Sequence, residues 1–381
     1  MATRTVQLIC TAPDAPGDSE GFDVSAGPLA VRARRLAGGR CDGVLVVELV
    51  AGDTRVVVLP DRGLGIWKIA AGGIELGWRS PVAGPVHPRF VPLVEPSGIG
   101  WLDGFDELVA RCGLVSNGAP DFDDLGRLRH PLHGRIANLP AHELAVTLDE
   151  AAGTVTLAGA VDETRFLVHA LRMTTALTVR AGTSRVEWAD TVTNLSDRPT
   201  TMQMLYHVNL GPPLLGAGAE VVAAVEELAP RDAAAVPDVP TWNRYDAPRP
   251  GRGEEVHFAR LRPDAAGRAT ALLVAPGGDR AAALSWSAAT LPCFTLWKNQ
   301  GGLADGYVTG LEPGTNHPNP RSFEESQGRV VPLAPGASVQ FDLAIESLVG
   351  DAVTAERRRI GALVAGGPRI HAAPRPDWSA G

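Results

Sequence analysis

The chain is expected to fold as an all-β protein, a large antiparallel β-sandwich, and three observations predict it. Short β-branched runs recur along the 381 residues with turn residues between them, the pattern of half-buried antiparallel strands. The 43 glycines and 31 prolines punctuate many turns. Helical patterning is scarce: residues 105–110 have room for a turn or two, and residues 352–364 are the longer candidate. A chain of this length can bury a large core, and length alone would allow two or three domains. No internal repeat or low-complexity linker divides it, so residues 1–365 are read as one domain. Residues 366–381, rich in proline and alanine, are read as a C-terminal tail.

The elements follow in order. Residues 43–50 and 54–59 are β-branched runs separated by Ala51-Gly52-Asp53, the composition of a hairpin, and Asp61-Arg62-Gly63 turns the chain after the second run. Residues 185–193 alternate apolar and polar side chains, as a strand with one wet face should. The turns on either side, 181–184 and 194–199, place one strand before it and one after. The strand after it, 200–209, delivers His207 near its end. Runs at 154–157, 271–274, 281–286 and 339–346 continue the same spacing.

Charge and composition exclude several classes. A net charge of -8 and a pI near 5.6 argue against nucleic-acid or anionic-membrane partners, which require a basic face. Cys10, Cys41, Cys112 and Cys293 have neither CxxC nor zinc-ligand spacing and are read as reduced thiols. The start, Met1-Ala2-Thr3-Arg4-Thr5-Val6, has no apolar signal core, and no apolar run approaches the roughly 18 residues of a membrane helix. A soluble cytoplasmic protein is expected, and a homodimer is compatible with the sequence. Gly38-Gly39 and Gly72-Gly73 lack the strand-to-helix setting of a phosphate loop, and no Gly-x-Ser-x-Gly elbow is present.

Chemistry concentrates in three segments: Pro131-Leu132-His133-Gly134-Arg135, Tyr206-His207-Val208-Asn209-Leu210 and Gly310-Leu311-Glu312-Pro313. Proton exchange at a sugar ring needs one group that gives a proton and one that takes it, and a histidine with a glutamate supplies both near neutral pH. His133 lies in a stretch, 127–142, whose polar density suits a pocket-lining loop, with His130 and His142 as bystanders. His207 sits among core-like neighbours, where an idle imidazole would be costly. Glu312 follows an apolar approach and precedes a polar turn, a setting that raises a carboxyl pKa, whereas Glu324 and Glu325 stand in a charged stretch and are read as solvated. Arg62, Arg135, Asn209, Trp297, Lys298, Asn316 and His317 are candidate substrate-binding residues, Trp297 for stacking on a sugar face and the others for hydroxyls. Lys298 would also suit an anionic group on the sugar. No strong metal-ligand pattern appears.

These segments resemble the galactose mutarotase (aldose 1-epimerase) family. Leu132-His133-Gly134 is similar to the family's Leu-His-Gly, and Leu311-Glu312 with Asn316-His317-Pro318-Asn319 is similar to its late motif, in the same order along the chain. The resemblance implies the twisted β-supersandwich, a small-molecule carbohydrate as partner, and interconversion of sugar anomers. It gives Glu312 the part of general base, His207 that of general acid and His133 that of sugar binder. No cofactor is implied, because the reaction consists of proton transfer and bond rotation. Two departures stand out: Asn209 lies closer to His207 than the family's asparagine to its histidine, and Ala334-Pro335-Gly336-Ala337 replaces the family's Arg-Pro-Gly-Glu. A keto-sugar isomerase or lyase, with a metal held by His133, His207, Glu312 or His317, and a non-catalytic sugar-binding protein are the alternatives.

Overall fold

The computed structural model describes residues 3–10, 21–364 and 366–380, with the Cys10 side chain outside that description. The expected all-β architecture is present as two large sheets. One has nine strands, in which Thr3–Cys10, Glu143–Asp149, Thr154–Arg165, His169–Arg180, Arg185–Asn194, Ser338–Val349, Arg280–Ser287, Arg268–Val274 and Glu220–Ala223 lie side by side. The other has fourteen, and its middle runs Val109–Leu114, Thr200–Leu210, Val308–Gly314, Cys293–Asn299, Glu254–Leu261 and Val225–Pro230. Both sheets are antiparallel apart from a short parallel match of Glu227 and Leu228 with Arg369 and Ile370.

Alternation explains the packing. Along Thr200–Leu210, Met204, Tyr206 and Val208 enter the core shared by both sheets, which also takes Leu49, Val58, Leu157 and Leu177. Leu205, His207 and Asn209 must then face the other side of the fourteen-stranded sheet. One buried polar clamp crosses the core: Arg111 on one sheet reaches Asp190 on the other at 2.6 and 3.0 Å, and Tyr206 and Thr175 donate to the same carboxylate at 2.9 and 2.7 Å. All lone pairs of that carboxylate are engaged, so the clamp ties the strand carrying His207 to the opposite sheet.

The expected hairpin is Leu45–Ala51 with Thr54–Leu59, and the expected C-terminal helix is Asp351–Ala362. Three expectations give way. Residues 105–110 do not form a helix: Gly100–Gly104 is a 3-10 turn and Val109–Leu114 is a strand, because pairing with Thr200–Leu210 overrides local propensity. The stretch 366–380, read as a tail, is docked instead. Trp378 is only 1% exposed, its carbonyl accepts from Asn319 Nδ2 at 2.8 Å, and His371 reaches Glu227 at 2.8 Å. Glu324 is buried rather than solvated, held by Arg329 and by Asn319 Nδ2 at 2.6 Å, while Glu325 is exposed.

Candidate active site

Four adjacent strands present one face to a cavity of about 290 Å³, at the small end of ligand pockets. The loop 98–105 and the His133 turn close it from above. Thr200–Leu210 contributes His207, Val308–Gly314 contributes Glu312, Cys293–Asn299 contributes Thr295 and Trp297, and Glu254–Leu261 contributes Glu254 and Val256. His133, Trp101, Phe105, Leu132, Pro318 and Arg231 complete most of the wall. The structure thus brings His133, His207, Glu312 and Trp297, which are far apart in the chain, to one pocket.

His207 and Glu312 are its chemical centre. His207 Nε2 stands 3.2 Å from Glu312 Oε1, with both side chains almost fully buried. The contact lies off the line of a hydrogen bond, and Glu312 Oε1 has no hydrogen-bond partner among the described residues. Behind the ring, His207 Nδ1 lies 2.6 Å from Asn209 Oδ1. Burial pushes Glu312 well above the ordinary carboxyl range, helped by the negative charge of Glu254, and pushes His207 well below the ordinary imidazole value. Strand geometry fixes the carboxyl: Gly310 and Glu312 share one face, and a Cβ on Gly310 would collide with Glu312 Oε1 and stand 3.2 Å from His207 Cε1.

His133 occupies a left-handed backbone position, φ 56°, in a tight turn. A Cβ on the following Gly134 would collide with the Ser116 carbonyl, so the loop can close only over glycine. Nδ1 of His133 lies 3.0 Å from the Asn117 carbonyl and donates to it, which leaves Nε2 as an acceptor. Burial lowers this imidazole to about 4, so it is neutral at neutral pH. Its ring meets Trp101 edge-on at 4.6 Å and His207 at 5.2 Å. Phe105 and Trp297 pack against His207 at 5.0 and 5.3 Å, giving a water-poor wall.

The other candidate residues lie outside the cavity. Arg62 is buried against Glu107, with Nη1 donating to the Val86 carbonyl at 3.0 Å and to Asn138 Oδ1 at 2.9 Å. Lys298 faces away because it follows Trp297 on the same strand, and it is held by Asp238 at 2.5 Å. Asn316 pairs with Asn117 through two bonds of 2.8 and 2.9 Å, and His317 stacks on Phe258 at 4.5 Å behind the wall formed by Pro318. Arg135 leaves the His133 turn toward Glu163, and Asn209 reaches His207 rather than the cavity.

Several wall residues escape a sequence reading. Trp101 Nε1 and Thr295 Oγ1 are buried at the cavity with no hydrogen-bond partner among the described residues, an arrangement that suits a ligand bearing several hydroxyls. Glu254 accepts from Trp297 Nε1 at 2.7 Å and from Arg231 Nη2 at 2.9 Å, and Arg231 also bonds Asp232 at 2.7 Å. The glycines around Trp101 were the one available signal, marking a loop that brings an aromatic ring close to backbone. Among the described residues no group of three or more His, Cys, Asp or Glu is placed to hold a metal ion, and no helix is long and apolar enough to cross a membrane.

A twisted double sheet with a histidine–glutamate pair on its open face defines a class, the galactose mutarotase-like proteins. Residues 41–347 match the family described as a domain of unknown function, DUF4432, and the chain belongs to that family within the aldose 1-epimerase, or galactose mutarotase-like, superfamily. The chain is similar to a protein from Klebsiella pneumoniae provisionally named an aldose 1-epimerase, with 31% identity over 98% of each chain and a TM-score of 0.92. It shares the fold of a galactose mutarotase-like protein from Clostridium acetobutylicum, at 15% identity, covering 85% of this chain and 100% of that one, TM-score 0.58. The same holds for a galactose 1-epimerase from Lactobacillus acidophilus, at 12% identity, covering 84% and 99%, TM-score 0.53. No curated protein matches the chain.

Proposed function

We propose that this protein is an isomerase of the aldose 1-epimerase type, interconverting the anomers of a free, uncharged sugar with His207 and Glu312 as its proton-exchanging pair. The observation that carries this reading is the 3.2 Å approach of His207 Nε2 to Glu312 Oε1 inside a small cavity with unpartnered polar atoms. Opening a pyranose requires one proton to leave the anomeric hydroxyl and one to reach the ring oxygen, two atoms bonded to the same carbon. Two groups this close serve both atoms without either side chain moving far. The resemblance gives Glu312 the base's part and His207 the acid's. His133 Nε2, Trp101 Nε1 and Thr295 Oγ1 would bind hydroxyls, and Trp297 would cover the apolar face of the ring.

An uncharged substrate follows from the pocket's charges. Lys298, the residue expected to meet a carboxylate or phosphate, is committed to Asp238, and Arg231 is tied by Asp232 and Glu254. An anionic sugar would face Glu254 with no uncommitted cation in the wall. Saturation-transfer NMR across neutral sugars, sugar acids and sugar phosphates, with spontaneous mutarotation subtracted, tests the reading. Exchange of a neutral sugar above background is expected. Saturable binding without exchange would make it a sugar-binding protein, and turnover of a keto-sugar would make it an isomerase or lyase of another kind.

A further inference from the structure

We propose that the chain carries a second carbohydrate site, apart from the His207–Glu312 cavity, in which Trp67 and Trp78 cover the ring of a neutral saccharide unit and Asp106 accepts from one of its hydroxyls. The inference does not rest on the mutarotase reading, because it concerns another cavity and needs no reaction.

The site lies behind the loop that closes the first one. Three consecutive side chains part ways there: Phe105 enters the cavity of His207, Asp106 enters a cavity of about 510 Å³, and Glu107 meets Arg62. Among the described residues none lines both cavities, and a contact of Phe105 with Trp78, ring centroids 4.9 Å apart, joins the two walls. The second cavity is bounded by Trp67 on the strand Gly65–Ala71, by the loop 77–84 and by Pro212 and Pro213. Its size falls within the range of small-ligand pockets.

Glycines seat its two principal groups. A Cβ on Gly84 would collide with Asp106 Oδ2, and one on Gly211 would stand 2.9 Å from Trp78 Cβ. The ring N–H groups are already used: Trp67 Nε1 donates to Asp106 Oδ2 at 2.9 Å, and Trp78 Nε1 donates to the Glu107 carbonyl at 3.2 Å. Both half-buried indoles are thus held in orientation by the protein and have only their apolar faces to offer. Asp106 is 9% exposed, and its Oδ1 has no hydrogen-bond donor among the described residues, so a buried acceptor is aimed into the cavity. Burial, helped by the charge of Glu107, raises this carboxyl to about 7, as expected of an acceptor short of donors.

Chemistry narrows the occupant. A wholly apolar ligand would seal Oδ1 from water and return no hydrogen bond. A cation would compete with Lys68, whose Nζ stands 5.4 Å from the Trp67 ring centroid, and would approach Arg79, a half-buried guanidinium with no ion-pair partner among the described residues. An anion would face Asp106 and Glu75, and Glu75 already holds Lys68 at 3.2 Å. A neutral molecule with hydroxyls on its edge and C–H groups on its face meets all three conditions, and a pyranose is such a molecule. One hydroxyl donates to Asp106 Oδ1, Arg79 donates to another oxygen, and the indoles cover the apolar face.

The test uses methyl β-D-glucopyranoside and methyl β-D-galactopyranoside, whose blocked anomeric carbons exclude turnover. The indole N–H resonances of the ¹⁵N-labelled protein are followed during titration, with three of them assigned by their losses in Trp67→Phe, Trp78→Phe and Trp297→Phe. Saturable shifts of the Trp67 and Trp78 signals are expected with at least one glycoside. Asp106→Asn, in which the amide oxygen keeps Trp67 and the cavity receives a donor in place of an acceptor, should weaken that affinity about tenfold. The Trp297 signal reports the other cavity, and its titration curve should be the same in Asp106→Asn. Absence of a shift at Trp67 and Trp78 would overturn the proposal. So would shifts there that follow the Trp297 curve and ignore Asp106→Asn, since they would be relayed from the first cavity. Shifts produced by tetramethylammonium or inorganic phosphate, and by neither glycoside, would give the cavity to an ion instead. Should the asparagine variant not fold, nuclear Overhauser transfer from the Trp67 ring to the glycoside in the unaltered protein decides, and its absence would refute the site.

Discussion

Gly310 and Glu312 share one face of a single strand, and the absence of a side chain at the first is what gives the carboxyl of the second its place beside His207. The strand pairs on both sides, with Asn209 opposite Gly310 on one neighbour and Trp297 on the other, so the backbone cannot shift to accommodate a new atom. Gly310→Ala should therefore push the Glu312 carboxyl aside while leaving the sheet intact. We expect loss of most anomer exchange with a near-normal far-ultraviolet circular dichroism spectrum. Full activity in the alanine variant would show that the carboxyl has freedom the packing denies it.

His207→Asn and Glu312→Gln should each lower the exchange rate by about two to four orders of magnitude, the usual cost of losing a well-placed acid or base. Sugar binding should largely survive, because both replacements keep approximate size and polarity. The double variant should be scarcely slower than either single one, since the two groups serve one step. Exchange rates from saturation-transfer NMR, set beside sugar affinities from calorimetry, check both statements. Additive losses would mean that the two residues act in separate steps.

The same carboxyl should cost stability. A group whose folded pKa is raised favours the fold below its unfolded pKa and loses that advantage as pH rises toward the folded value. Burial raises Glu312, so above the ordinary carboxyl range the unfolded chain ionises while the folded one resists. Glu312→Gln has no such liability. Its Tm should exceed that of the unaltered protein at neutral pH, and the difference should shrink as pH falls through the ordinary carboxyl pKa. Thermal melts from pH 4 to pH 8 would show the trend, and a pH-independent difference would contradict it.

Arg62 and Glu107 form a fully buried ion pair behind the loop that carries Trp101 and Phe105. Gly104 of that loop lies so close that a Cβ there would sit 2.8 Å from Arg62 Nη1. Glu107→Gln strands the guanidinium and should cost about 3–5 kcal/mol, the range for removing one partner of a buried pair. Urea denaturation measures this. A variant of unchanged stability but weakened sugar affinity would restore Arg62 to the sugar-binding part that its sequence context had suggested.

Strand identity and the central trio were legible in sequence because both are written locally. Alternation around Arg185–Asn194 and Thr200–Leu210 marks strands wherever they pair, and His133, His207 and Glu312 sit in short segments that carry their own context. What stayed hidden depends on partners distant in the chain. Lys298 reads in sequence as a cation free for an anionic group on a sugar, but Asp238, 60 positions earlier, claims it across a fold that no local pattern reveals. Glu324 looked solvated until Arg329 and Asn319 enclosed it. Thr295 shows no motif at all, and Trp101 shows only its flanking glycines, since their importance lies in polar atoms left without protein partners among the described residues once everything else has packed.

The docked segment 369–380 also makes the cavity wall open to limited proteolysis. Ser379 Oγ donates to the carbonyl of Arg231, and the Ala380 N–H donates to Asn319 Oδ1 at 3.1 Å, so the wall containing Arg231 and Pro318 is fastened by a segment that joins the fourteen-stranded sheet only through the short match of Arg369 and Ile370. So lightly paired a segment opens more readily than the strands it covers. Cutting it away should therefore loosen the cavity wall while both sheets keep their protection against hydrogen exchange.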